Sequence, residues 1–272
     1  MTTDAATLGP LILILIATGA VAGVLAGLLG VGGGIVLVPA FLYLFSALGY
    51  ASDDLMQICV ATSLATIIVT SCRSLLAHNK RGAVDWSILR SWAVFIAIGA
   101  LAGVLVVHHL STTILQAFFA VMVFVIAMYM LFGKPTWRLA ETMPGLARRA
   151  IYAPLTGLVS VLLGIGGGSI GTPLMTLHGV PIHRAVATAS GFGVIIAVPS
   201  AIGFLLTSVS NPPPYTIGAV NIPAFLIVIA TTTLTAPIGA TLAHKLDPKV
   251  LKRVFALFLA LVALNMARKV FF

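Results

Sequence analysis

Charge is what this chain has least of. Asp, Glu, Lys and Arg make up 8% of its 272 residues, and only six of them are acidic. A soluble domain carries about a quarter charged residues, so a water-soluble globular fold is excluded. The six acids are Asp4, Asp53, Asp54, Asp85, Glu141 and Asp247. None falls deep inside an apolar run, so no carboxylate relay for protons is visible. Cysteine is equally sparse: Cys59 and Cys72 lie thirteen residues apart on one expected helix. That spacing puts them more than two turns apart on different faces, so they cannot pair within it, and the redox compartment stays open. No His, Asp or Glu cluster at metal-ligand spacing is present, and no nucleophile with a base at membrane depth. Neither an enzyme, a metal nor a cofactor is therefore expected.

What fills the chain is apolar. Hydrophobic residues reach 60% and the mean hydropathy is +1.15. Runs of about 20 apolar residues span a bilayer, and here they are too many and too long to be a buried core. The composition predicts an all-α, multi-pass membrane protein. The opening MTTDAATLGP holds no Lys or Arg and no cleavage site, so the first span is expected to be retained. The formal charge of +9 comes from basic residues scattered over short loops. That scatter fits positive-inside topology and not a nucleic-acid surface.

Expected spans run roughly 10–45, 55–78, 87–107, 112–132, 150–180, 182–206, 220–243 and 249–267. The first and fifth are interrupted by Gly30-Val31-Gly32-Gly33-Gly34 and Gly164-Ile165-Gly166-Gly167-Gly168, each followed by a proline, Pro39 and Pro173. As one straight helix the first would measure about 54 Å against a hydrocarbon core of about 30 Å, so each must bend or unwind. About a dozen residues follow the second break, too few to return across a bilayer. One broken crossing per segment is therefore the expectation.

The chain also repeats. The two breaks align at an offset of 134; Val60-Ala61-Thr62-Ser63 meets Val186-Ala187-Thr188-Ala189 at 126; Gly82-Ala83-Val84-Asp85 meets Gly218-Ala219-Val220-Asn221 at 136. His108 meets His244 in the last register. This predicts eight transmembrane helices as two four-helix repeats, 1–133 and 150–272, joined by a cytoplasmic linker, 134–149. An even number of crossings makes the repeats parallel, and an odd number would invert them. Under eight spans, ten Lys and Arg fall on one side and five on the other, which places both termini in the cytoplasm. The second cluster, around Lys245 to Arg253, dissents.

Where a helix stops in mid-membrane, its free N–H groups and the positive end of the following half-helix point at the break. Gly32, Gly33 and Gly34, with Gly166, Gly167, Gly168 and Ser169, are thus candidates to hold an anion, the second halves starting near Ile35 and Ser169. The competing reading is close helix packing, which applies to the ridge Gly19, Gly23, Gly27; such ridges also leave room for a homodimer. Gly166, Gly168 and Gly171 have dinucleotide-loop spacing, but no strand precedes them and no acid follows about 20 residues on. Thr62, Ser63, Thr188 and Ser190 can donate hydroxyls to an oxyanion, or else glue neighbouring helices. Arg73 and Arg184 belong at the interfaces, where they can guide an anion inward. Asp85 is placed to cap a helix and Trp86 to sit in the aromatic belt.

Taken together, the doubled G-x-G-G-G with its proline, the V-A-T-S and H-R-A-V-A-T-A-S stretches and R-G-A-V-D-W at Arg81 to Trp86 resemble the sulfite exporter TauE/SafE family over nearly the whole chain. The resemblance implies a bacterial or archaeal inner-membrane permease for small anions, commonly sulfite, sulfoacetate or related organosulfonates. It matches Gly30 to Gly34, Thr62, Gly164 to Gly168 and Thr188 as site positions. The second half departs from it with Asn221-Ile222 in place of Asp85-Trp86. An alternating-access permease with a midplane site between the breaks is expected, against a channel-like anion pathway.

Overall fold

Every long apolar run folds as a helix, because a helix satisfies its own backbone where no water can. The computed structural model describes residues 5–29, 32–133, 137–242 and 248–271. Gly30, Val31, Lys134, Pro135, His244, Lys245 and Asp247 lie outside the described residues. Ten helices are present there: α1 Ala5–Leu29, α2 Gly34–Ala47, α3 Leu55–Asn79, α4 Trp86–His108, α5 Thr112–Phe132, α6 Leu146–Leu162, α7 Gly168–Leu177, α8 Ile182–Leu205, α9 Ile222–Leu242 and α10 Pro248–Phe271. A small antiparallel hairpin, β1 Thr216–Ile217 and β2 Val220–Asn221, leads into α9. Among the described residues, α3, α4, α5, α8 and α9 contain stretches long and apolar enough to cross a membrane.

Apolar side chains face both inward and outward, as a bilayer requires. On α4, Trp92, Ile96 and Val104 are buried while Val94, Ile98, Leu101 and Leu105 form an exposed apolar stripe. Small residues let the backbones touch. A Cβ on Gly99 would strike the Pro154 carbonyl, and one on Gly157 the Ile96 carbonyl, where α4 packs on α6. Gly19 and Gly23 are likewise filled by Thr231, Thr232 and Thr235 of α9. That part of the ridge is consumed within the chain and offers no face to a second copy.

Two ends of the bundle can be defined by their loops. At one, Asp54 Oδ2 accepts from Ser210 N at 2.7 Å, and Thr112 N donates to Asp53 O at 2.7 Å. This Asp54 end gathers the starts of α3 and α5 and the α8–β1 loop. At the other, Asp85 faces Arg184 at 3.5 Å, and Arg81 Nη2 donates to Thr241 Oγ1 at 3.2 Å. This Asp85 end gathers the start of α4, the start of α8 and the finish of α9.

Helix directions relative to these ends overturn the expectation of single broken crossings. α6 lies along α4 in the same sense, Pro154 beside Gly99 and Val161 beside Gly103, so it starts at the Asp85 end. α7 returns there: Leu139 N donates to Leu177 O at 2.7 Å, and the Tyr152 and His178 rings lie 6.5 Å apart. In the same way α1 runs beside α9 from the Asp54 end, then doubles back, with Gly33 against Ala22, so that α2 finishes beside the start of α3. Each segment is a hairpin of one long and one short helix. The ten residues of α7 suffice, at about 15 Å, because Gly167 already lies halfway along the bundle, against Phe192 and Gly193 of α8.

The hairpins change the symmetry. Helices α1 to α5 correspond to α6 to α10: α1 packs on α9 as α6 packs on α4, α3 on α9 as α8 on α4, and α2 on α3 as α7 on α8. Equivalent helices run in opposite senses, as the contact of Ser74, near the end of α3, with Ser190, near the start of α8, requires. With three full-length helices after each hairpin, the halves are antiparallel and not parallel. The start of α1 and the finish of α10 consequently lie at the Asp54 end and the described part of the linker at the Asp85 end, whereas a shared side was expected. Of the thirteen Lys and Arg among the described residues, only Arg268 and Lys269 are at the Asp54 end.

Candidate functional site

The two glycine breaks meet at the centre of the bundle. Gly32 and Gly33 have φ of 75° and 80°, and Gly164 has φ of 60°. In this left-handed region a side chain costs roughly 1–2 kcal/mol, which glycine avoids. Contact is then backbone to backbone: a Cβ on Gly34 would strike the Gly164 carbonyl and come within 2.8 Å of Ile165 Cα, while one on Gly32 would lie 3.3 Å from Gly166 Cα. All of these glycines are buried.

The short helices start from this junction, α2 at Gly34 and α7 at Gly168, one residue earlier than the positions expected. Their N-caps are Gly33 and Gly167, which offer no side chain to the first-turn N–H groups. Both positive helix ends therefore face the middle, and α2 and α7 leave toward opposite ends of the bundle. Hydroxyls hold the unwound carbonyls: Ser63 Oγ donates to Gly164 O at 2.7 Å, and Thr70 Oγ1 donates to Gly32 O at 3.2 Å.

The other residues singled out in the sequence are placed differently. Thr62 Oγ1 accepts from Asn221 N at 3.0 Å and Thr188 Oγ1 accepts from Asp85 N at 2.9 Å, so each holds the entry of a helix from the opposite half. Ser190 Oγ lies 3.0 Å from Ser74 Oγ, where α8 crosses α3. Arg184 is exposed and pairs with Asp85, whose Oδ1 also caps α4 by accepting from Ser87 N and Ile88 N at 3.1 Å. Arg73 is exposed on α3. The junction therefore brings together Gly32, Gly33, Gly34, Gly166, Gly167 and Gly168 with Ser63, and Ser169 follows on α7; neither arginine reaches it.

Residues that sequence reasoning passed over gather on one flank. Ser71 Oγ, Ser169 Oγ and Thr172 Oγ1 are buried with no hydrogen-bond partner among the described residues. A Cβ on Gly193 would collide with Ser71 Oγ while lying 3.7 Å from Gly167 N, so this hydroxyl sits beside the second break. On α3, Ser71, Ser74 and His78 recur at i, i+3 and i+7, a polar stripe along one helix face that could have revealed it. Chemically, the junction offers hydroxyls, backbone N–H groups and two helix dipoles in a buried setting. The described acids Asp53, Asp54, Asp85 and Glu141 all lie at the ends of the bundle. Neutral donors without nearby carboxylates suit an anion.

The sulfite exporter TauE/SafE family model matches residues 15–266. A protein of Haemophilus influenzae named "Probable membrane transporter protein" is 33% identical over 95% of this chain and 98% of its own length. Probable membrane transporter proteins of Methanocaldococcus jannaschii and Bacillus subtilis are 27% and 25% identical, over 93% and 92% of this chain and 94% of each relative. No solved structure matches.

Proposed function

The chain belongs to the sulfite exporter TauE/SafE family, and we propose that this multi-pass membrane transporter is a secondary permease for a small anion. The substrate class is a sulfur oxyanion or organosulfonate, such as sulfite or sulfoacetate. The observation that carries the reading is the meeting of two half-helix N-termini, Gly34 and Gly168, in a buried junction. There backbone donors can replace part of the water around an anion without a buried cation to trap it.

The architecture adds to this reading. Helices α3, α4, α5, α8, α9 and α10 cross the membrane, and the hairpins α1–α2 and α6–α7 enter it from opposite sides, as an inverted repeat with its site at the centre. The Asp85 end, with eleven of the thirteen described Lys and Arg, faces the cytoplasm, and the start of α1 and finish of α10 face away from it. Complete burial of Gly32 to Gly34, Gly166 to Gly168 and Ser63 favours alternating access over an open channel, because an ion can reach the junction only if the halves move. Reconstitution into liposomes with sulfite, sulfate, thiosulfate, sulfoacetate and chloride, with and without a pH gradient, tests it. Saturable flux of one or more sulfur anions is expected, and flux at channel rates without counterflow contradicts it.

A further inference from the structure

The two breaks are related by symmetry in their glycines but not in the side chains around them. On α7, Ser169, Thr172 and Thr176 recur on one helix face. The equivalent positions on α2 are Ile35, Val38 and Leu42, all apolar. Ser71 of α3 corresponds to Ala197 of α8. Thr70 serves the first break by donating to Gly32 O, but among the described residues hydroxyls without a partner flank only the second.

Two of these hydroxyls are costly unless something uses them. Ser71 is 1% exposed and Ser169 5% exposed, and neither has a hydrogen-bond partner among the described residues. Their neighbours on the same helices find acceptors: Thr70 bonds Gly32 O and Thr66 O, and Thr176 bonds Thr172 O at 3.0 Å. A buried donor left unpaired carries a full desolvation penalty, so unpaired hydroxyls beside a helix N-terminus point to a missing acceptor. Ser71 Oγ lies against Gly193, on the side that approaches Gly167 N. Ser169 stands in the first turn of α7, whose N–H groups have no intrahelical acceptor.

We propose that a small oxyanion is bound at the second break only, by the Ser71 and Ser169 hydroxyls together with the N–H groups of the first turn of α7, while the first break is its packing counterpart. The inference rests on the anionic substrate proposed above and assigns it a place. Sulfonate, sulfite and other oxyanions with several acceptor oxygens fit such a cluster of neutral donors, and monatomic anions satisfy it less completely. The proposed site lies on the α7 side of the junction.

Trp92 provides a direct probe. It is buried, and its ring stacks on Phe192 with centroids 6.0 Å apart; Phe192 in turn packs on Gly167 and Gly171. Full-length protein with Trp86→Phe and Trp137→Phe would be titrated with sulfite, sulfoacetate, sulfate and chloride while Trp92 fluorescence is read, alongside proteoliposome flux. Ser71→Ala and Ser169→Ala are compared with Ser200→Ala, whose hydroxyl is satisfied by Ile196 O at 2.7 Å. The expected result is a rise of about tenfold or more in half-saturating sulfite or sulfoacetate for the first two and none for the third. The melting temperature without anion should be unchanged or higher in Ser71→Ala and Ser169→Ala, since an unpaired hydroxyl has been removed. Wild-type half-saturation in both variants, or weakening that tracks a lowered melting temperature, overturns the proposal. Binding by wild type without flux would remove the permease reading and leave the pocket, whereas no binding of any of the four anions removes both.

Discussion

Thr62 and Asn221 tie the two halves of the protein together: the buried Asn221 N–H donates to the Thr62 hydroxyl at 3.0 Å. The same bond recurs at the opposite end of the bundle, where Asp85 N donates to Thr188 Oγ1 at 2.9 Å. Each half thus supplies a threonine that fixes where a helix of the other half begins. Thr62→Val should lower stability by about 1–3 kcal/mol, because the N–H of Asn221 would be left buried and unpaired. Thr188→Val should cost less, Asp85 being only part-buried. Thermal unfolding in detergent, with Thr62→Ser as the variant that keeps the bond, checks both.

Contact between the breaks sets a second expectation. Gly34→Ala puts a methyl group onto the Gly164 carbonyl, and two backbones held by helices on both sides have little room to give. Transport should fall by about tenfold or more in a protein that still inserts. Gly33→Leu and Gly167→Leu should abolish it. Gly145→Ala, with open space around its Cβ, should leave flux unchanged. Flux assays on matched amounts of monodisperse protein decide this.

Orientation can be read without any substrate. A C-terminal alkaline phosphatase fusion should be active and a C-terminal green fluorescent protein dark, since α10 ends opposite the basic face. A reporter inserted after Glu141 should behave in the opposite way. The reverse pattern would place the eleven basic residues of the Asp85 end outside and contradict the assigned topology.

The Arg184–Asp85 pair invites less. Arg184 is 53% exposed and the separation is 3.5 Å, so Arg184→Gln should change stability by no more than about 1 kcal/mol. If Arg184 gathers anions at the Asp85 mouth, the same variant should raise half-saturating substrate at low salt and converge with wild type at high salt.

The helices were legible because each is an apolar run that must satisfy its own backbone, and the breaks because consecutive glycines interrupt such runs. The capping role of Asp85 was legible too. Chain direction was not. Whether α7 continues or returns depends on contacts distant in sequence, Leu139 with Leu177 and Tyr152 with His178, and a length criterion that assumed a full return missed that Gly167 lies halfway along the bundle. The charge count erred for the same reason: with the hairpins in place, the dissenting basic cluster around Arg253 joins the majority. Thr62 and Thr188 were recognised as equivalent, but their partners Asn221 and Asp85 belong to other helices. Ser71 escaped notice because its stripe with Ser74 and His78 is one of several sets of polar positions on α3, and only its missing partner sets it apart.

The most direct test of a buried, alternately exposed anion site at the junction of the breaks is sulfite counterflow in proteoliposomes, comparing wild type with Gly34→Ala. Labelled sulfite should accumulate transiently against preloaded unlabelled sulfite in wild type and should not in Gly34→Ala. Equal counterflow in both, or flux without counterflow in wild type, would contradict the account.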